Sequence, residues 1–211
     1  MKELILIRHG EAEHIVKKLA GGWTDSALTL LGEKQALQTA EAISKFIGNN
    51  EEVVLFSSDL KRASVTAKAI KNYIKTDSIH ILEGLRENNN GDAKGLTKAE
   101  AKKIKNAKTS PVLDWIPYNN AESFRMLHTR IVETMNAIKK QTENKTVIIV
   151  SHTNAIICMI HWWLHITEDH HIENIMYKLD PCSITHLGKD KDGCFTINKL
   201  NDTTHLNKEN S

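Results

Sequence analysis

Arg8 and His9 close a short apolar run, Leu4-Ile5-Leu6-Ile7, and Gly10 and Glu11 follow at once. An imidazole can attack phosphorus and carry a phosphoryl group when cations offset the charge on the transferring oxygens and its second nitrogen is held in one tautomer. Arg8 supplies such a cation, and Gly10 allows close backbone approach with no side chain in the way. Alone, the pair would be no more than a strand end with a surface Arg and His. Two further segments give it company: Ser57-Ser58-Asp59 leading to Arg62, and Ser151-His152. The loop Glu83 to Gly91 adds Arg86 and Glu87. The imidazoles of His9 and His152, the guanidiniums of Arg8 and Arg62 and the carboxylate of Glu87 suit phosphoryl transfer that needs neither a metal nor a cofactor.

These residues sit where apolar runs stop. Leu4-Ile7, Val53-Phe56 and Val147-Val150 read as buried strands of a parallel sheet, and ligands of open α/β sheets bind beyond the carboxyl ends of such strands. Ile79-Leu82 is a short further strand. Between them the pattern turns helical. Ala36, Ala40, Ile43 and Ile47 share a stripe that Thr29 caps and Gly48-Asn49-Asn50 stops; Leu60, Ala63, Ala67, Ile70 and Ile74 share another. Arg62, in the first turn of that second helix, opposes the helix dipole and calls for an anion nearby. Thr97 predicts a cap for a lysine-rich helix running to about Lys108. Residues 108–120, broken by Pro111 and Pro117 around Trp115, are the candidate lid insertion. Phe124, Leu127, Ile131, Met135 and Ile138 mark one more helix. The segments 183–187 and 194–197 bracket Asp190-Lys191-Asp192-Gly193 as a hairpin, and 207–211 reads as a frayed tail.

At 211 residues the chain fits one catalytic domain, 1–206. With 28 basic and 26 acidic residues it lacks the basic excess of a nucleic-acid binder. Cys158, Cys182 and Cys194 have no metal-ligand spacing and fit a reducing interior. No signal-peptide pattern opens the sequence, so a cytoplasmic protein is expected. Val147 to Ile166 lacks charged residues, but Ser151-His152-Thr153-Asn154 at its centre argues against a membrane span and for a strand, a polar turn and a helix. Nothing in the sequence specifies an oligomeric state.

The ordered series Leu6-Ile7-Arg8-His9-Gly10-Glu11, Gly22-Trp23-Thr24-Asp25-Ser26-Ala27-Leu28-Thr29, Ser57-Ser58-Asp59-Leu60-Lys61-Arg62-Ala63, Leu85-Arg86-Glu87, Gly95-Leu96-Thr97, Glu122-Ser123 and Val150-Ser151-His152 closely resembles the histidine phosphatase superfamily, the phosphoglycerate mutase-like proteins. The resemblance covers most of the chain. It implies a three-layer αβα sandwich with a mainly parallel sheet. It also implies a phosphomonoesterase of the histidine acid phosphatase type acting on a small phosphorylated metabolite, with phosphoglycerate mutase-type transfer as the alternative. By resemblance His9 becomes phosphorylated, and Arg8, Arg62 and His152 form the phosphate pocket. Glu87 protonates the leaving oxygen and then activates water. Gly10, Gly22, Arg86 and Thr153 fall on the substrate side. Glu83 competes with Glu87 for the acid role, from the strand side of its loop.

The chain departs from that pattern in places. Ile15 stands where many members carry a phosphate-binding Asn, and His14 or a main-chain amide is the expected substitute. Ala93-Lys94-Gly95 replaces a segment that often holds an aromatic residue, which implies a wider, more basic entrance. Ala121 replaces a glycine before Glu122. The length favours net hydrolysis over mutase activity. Two rivals come from other classes: a zinc hydrolase using His161, His165, His170 and His171, and a non-catalytic phosphate-binding protein.

Overall fold

The computed structural model describes residues 1–47 and 53–206. The expected Gly48-Asn49-Asn50 stop and the 207–211 tail lie outside the described residues. Six strands form one sheet: β1 (Glu3–Arg8), β2 (Val53–Ser57), β3 (Ile79–Ile81), β4 (Thr146–Ser151), β5 (Ile184–Lys189) and β6 (Phe195–Asp202), in the order β3-β2-β4-β1-β5-β6. The first four strands named in that order run parallel, and β5 and β6 extend the sheet as an antiparallel hairpin.

The helices are α1 (Glu13–Val16), α2 (Leu30–Ile47), α3 (Lys61–Lys71), α4 (Lys98–Lys103), α5 (Phe124–Gln141), α6 (Thr153–Trp163) and α7 (Asp169–Asn174). Their distribution follows from strand order and the right hand of parallel crossovers. The chain steps from β1 to β2 to β3 toward one edge, so α2 and α3 cover one face. It then returns to β4, so α5 crosses the other face, where α6 joins it. Side-chain alternation matches: Ile5, Ile7, Leu55, Ile148 and Val150 pack with Ala40, Ile43, Ala63, Ala67 and Ile70, while Leu4, Leu6, Phe56, Val147 and Ile149 pack with Leu127, Ile131, Met135 and the buried side of α6. The central strands are buried on both faces, which is why they read as continuous apolar runs.

Local chemistry fixes several ends. Thr29 Oγ1 accepts from the Gly32 amide at 3.0 Å, capping α2. Thr97 and Glu100 form a capping box on α4. That helix stops at Lys103, short of the expected Lys108, because Asn106 leaves the helical path. Its amide donates to the Pro117 carbonyl at 2.9 Å and its side chain to the Ile116 carbonyl at 3.0 Å. Residues 108–120 contain one 3-10 turn, Val112–Asp114, anchored by buried Leu113. The polar connection after Glu11 holds α1, which buries His14. No described helix is long and apolar enough to cross a membrane; Val147 to Ile166 divides into β4 and α6 as its polar centre requires.

Candidate active site

The parallel register aligns Arg8 with Ser151 and Ser57 with Val150, so β1, β2 and β4 deliver their carboxyl ends side by side. His9 follows β1, Ser58 follows β2, and His152 is the cap residue of α6 directly after β4. Their convergence is thus a property of the sheet. The His9 and His152 rings lie 5.0 Å apart, both buried.

The contacts of His9 define its tautomer. Nδ1 lies 2.7 Å from the Gly10 carbonyl oxygen, which can only accept, so Nδ1 carries the proton. Nε2 receives a hydrogen bond from Arg62 Nε at 3.1 Å, and a guanidinium can only donate, so Nε2 carries the lone pair. Burial holds the His9 pKa well below the usual imidazole value, and the charges of Arg62 and Arg8 lower it further. A neutral imidazole with an in-plane lone pair among cations can form a bond to phosphorus.

Arg62 is 1 % exposed, although it lies in the first turn of a helix. Nη1 and Nη2 donate to the carbonyls of Thr24 at 2.6 Å and Gly22 at 2.7 Å, and no carboxylate forms an ion pair with it among the described residues. Carbonyl dipoles thus partner its charge where an anion was expected. Burial pushes its pKa down to about 10, which leaves it a cation at neutral pH. Arg8 Nη1 donates to the Leu179 carbonyl at 2.6 Å, while its Nε is buried without a hydrogen-bond partner. Burial lowers its pKa, and the charge of Glu87 opposes that shift. His152 Nε2 pairs with Ser58 Oγ at 2.9 Å, and its Nδ1 is buried and unpartnered. Burial, then Arg62, hold this imidazole neutral as well. Two unpartnered buried nitrogens beside a paired cationic cradle are what an anionic group would satisfy.

The charge of Glu87 acts on both cations of this cradle, Arg8 and Arg62. Oε1 accepts from the Asn88 amide at 2.9 Å and Oε2 from the Asn154 amide at 3.3 Å, in the first turn of α6. Its carbonyl accepts from Trp23 Nε1 at 2.7 Å and Arg130 Nη2 at 3.2 Å. Arg130, on α5, also donates to the carbonyls of Gly84 and Arg86 and pairs with Glu122 at 2.8 Å. Glu122 in turn accepts from the Asn89 amide. This clamp escapes a reading of the sequence; its one signal is a carboxylate just before a helix and an arginine two turns along. Glu83 points away, 77 % exposed, toward Arg86.

Other expected residues serve different ends. Arg86 forms a two-point ion pair with Asp59, Nε to Oδ1 at 2.8 Å, and stacks over Trp23, so it braces the loop and is not part of the cradle. A side chain at Gly10 would place Cβ 2.5 Å from the Gly32 carbonyl oxygen, so the absence of one lets the chain after β1 approach helix α2 closely. Gly22 has φ +56°, and a Cβ there would strike Asn90 and the Asn88 carbonyl. Thr153 opens α6, half-buried. The ring of His14, the expected substitute donor beside Ile15, is 6.2 Å from that of His9, with Nδ1 2.6 Å from Ser26 Oγ. Burial drops its pKa to about 4.

The C-terminal histidines do not gather. His161 Nε2 pairs with the Ile175 carbonyl, His165 packs edge-on against Phe195, and His170 and His171 lie on α7. Among the described residues no group of three or more His, Cys, Asp or Glu is arranged to hold a metal.

The profile of the histidine phosphatase superfamily, branch 1, matches residues 4–203. The chain belongs to this family. A metal-independent phosphoserine phosphatase of Arabidopsis thaliana is 28 % identical over 208 residues, 97 % of this chain and 83 % of that protein. A 2,3-bisphosphoglycerate-dependent phosphoglycerate mutase of Chelativorans sp. is 30 % identical over 162 residues, 72 % of this chain and 77 % of the mutase. The crystal structure of a phosphoserine phosphatase from Entamoeba histolytica in complex with 3-phosphoglyceric acid superposes with a TM-score of 0.76 at 29 % identity, covering 98 % of this chain and all of that one. The family thus holds both phosphatases and mutases on this fold, as the sequence resemblance implies.

Proposed function

We propose that this histidine phosphatase superfamily member hydrolyses a small phosphorylated metabolite through a phosphohistidine at His9. The observation that carries the reading is the tautomer of His9, with Nδ1–H committed to the Gly10 carbonyl and the Nε2 lone pair turned to Arg62. Nε2 attacks phosphorus while Arg62 Nε transfers its hydrogen bond to a phosphoryl oxygen. Arg8 and His152 take the remaining oxygens, and Glu87 gives a proton to the leaving oxygen as the P–O bond breaks. In the second half, Glu87 takes a proton from water as that water attacks the phosphohistidine, releasing inorganic phosphate. No step calls on a metal. Three unpaired cysteines suit a cytoplasmic location.

Mutase activity is the second reading, favoured by the mutase relative. Phosphate release across a panel of phosphomonoesters, with chelator present, tests the first; isomer formation after priming with a bisphosphate tests the second. His9→Ala abolishes both. Hydrolysis that survives in that variant removes the nucleophile assignment.

A further inference from the structure

His9 and His152 lie with their rings 5.0 Å apart, and two neutral imidazoles so placed can serve opposite ends. Each carries one N–H and one lone pair, so the partner of one nitrogen decides what the other nitrogen offers. For His9 that partner is the Gly10 carbonyl, which leaves Nε2 with a lone pair. For His152 it is Ser58 Oγ, 2.9 Å from Nε2, and a hydroxyl can donate or accept. What Ser58 does with its single proton therefore sets what His152 can do for a phosphoryl group.

The other contacts of Ser58 give the direction. Its side chain is fully buried just past β2, and its Oγ accepts from the Leu60 amide at 3.3 Å. That bond takes up a lone pair and leaves the hydroxyl proton to be placed. Among the described residues the hydroxyl has no acceptor other than His152 Nε2. Were Nε2 itself protonated, the serine proton would be buried without a partner, a costly arrangement. Ser58 thus donates to Nε2. Burial, then the charge of Arg62, keep the His152 ring neutral, so its one proton sits on Nδ1. Nδ1 is the nitrogen that is buried with no protein partner. An ionised phosphoryl oxygen only accepts hydrogen bonds, so an N–H at that position attracts it where a lone pair would repel it.

Main-chain contacts hold both partners in place. The Ser58 amide donates to the Val150 carbonyl at 3.0 Å, and Ser57 Oγ donates to the Ser58 carbonyl at 2.8 Å. The parallel register sets Ser57 beside Val150, two residues before His152, whose own carbonyl accepts from the Ile156 amide at 2.8 Å in the first turn of α6. The donor is therefore oriented before any ligand arrives, which is what makes such a group effective as charge develops.

We propose that Ser58 is a positioning residue that fixes His152 as its Nδ1–H tautomer, so that this ring gives the transferring phosphoryl group a hydrogen bond while His9 gives it a lone pair. This inference rests on the hydrolase reading above, which brings the phosphoryl group to both rings. Ser58 acts only through the imidazole. Exchanging the two tautomers would leave His9 with nothing to attack with and His152 with nothing to give.

Long-range 1H–15N correlations of the imidazole rings tell a protonated nitrogen from one bearing a lone pair, and His152→Gln identifies the signals of His152. In the wild-type protein at neutral pH the proton should lie on Nδ1, and saturating orthophosphate should shift that signal. Ser58→Ala should mix the tautomers and lower kcat about 10- to 100-fold with little change in KM, less than the roughly 100- to 1000-fold that follows outright removal of such a donor. The loss falls on the phosphoryl oxygens, so it should be equal for phenyl phosphate and alkyl phosphates. Ser58→Thr keeps the hydroxyl and should restore the tautomer and most of the rate. A proton on Nε2 of His152 in the wild-type protein, or an Nδ1 signal indifferent to orthophosphate, overturns the proposal with no variant needed. A Ser58→Ala protein that keeps the Nδ1–H tautomer or wild-type turnover overturns it as well, while phenyl phosphate hydrolysis by the wild type leaves the phosphatase reading standing. A wild-type enzyme inert toward phenyl and alkyl phosphates removes that reading, and the role of Ser58 with it.

Discussion

Acid should destabilise this protein steeply between pH 7.5 and 5.5, because its site is built from imidazoles kept neutral. His9, His14 and His152 are 3 %, 8 % and 0 % exposed, and burial lowers the pKa of each in the folded chain. In the unfolded chain each titrates near 6.5. Between the folded and unfolded values the unfolded state binds more protons, so stability rises with pH and is lost as pH falls below about 6.5. One such ring costs about 1.4 kcal/mol one pH unit below its unfolded value, and three together cost about 4 kcal/mol. That is a large part of a domain's usual stability of roughly 5–15 kcal/mol. The His14 value of about 4 keeps even the least shifted of the three neutral at pH 5.5. The half-buried His128 and His205 and the buried His161 shift in the same direction and add to the slope. The paired carboxylates Asp59 and Asp202 titrate below this window and do not obscure it. Urea unfolding at half-unit pH steps measures the slope, and saturating orthophosphate, which binds only the folded cradle, should raise every midpoint. A loss below about 1 kcal/mol over the two units would mean that the rings are charged or hydrated when folded, and would refute the reasoning.

Single contacts set further outcomes. Glu87→Gln should slow alkyl phosphates far more than aryl phosphates, since an activated leaving group needs less protonation; equal losses on both would count against the acid role. Arg130→Ala removes the Glu122 ion pair and three carbonyl contacts, so it should cost about 2–4 kcal/mol of stability by chemical denaturation. In the surviving folded enzyme, kcat should fall more than KM rises, as the loop bearing Glu87 loosens. Gly10→Ala drives a Cβ against the Gly32 carbonyl and should destabilise by about 1–3 kcal/mol, visible as a lowered urea midpoint.

The strand ends were legible because buried parallel strands write themselves as unbroken apolar runs, and polar residues at the ends of three such runs had to share one edge of the sheet. The stripes of α3 and α5 were legible for the same reason, with a helical period. What escaped was chemistry supplied by main chain or by tertiary contact. Arg62 reads from sequence as a cation lacking its anion, yet the carbonyls of Gly22 and Thr24 surround it, and no side-chain pattern encodes a carbonyl's direction. Gly10 reads as a place of close backbone approach, and the partner it packs against is Gly32 of α2, a contact that spacing does not reveal. Arg86 looks free in a polar loop and is held by Asp59, which sequence assigns only to a turn. The end of α4 depends on Asn106 bonding to Ile116 and Pro117, a contact across an irregular loop that no period marks.

The central claim is that the Nε2 lone pair of His9 receives the phosphoryl group. Brief reaction with a phosphorylated substrate, quenching in base to preserve phosphohistidine, and mass spectrometry with isomer-resolved 31P NMR test it directly, with Glu87→Gln slowing the second step to let the intermediate accumulate. The account predicts one phosphoryl group, on His9, bonded at Nε2. Label on His14 or His152, attachment at Nδ1 of His9, or steady turnover with no labelled histidine would contradict it.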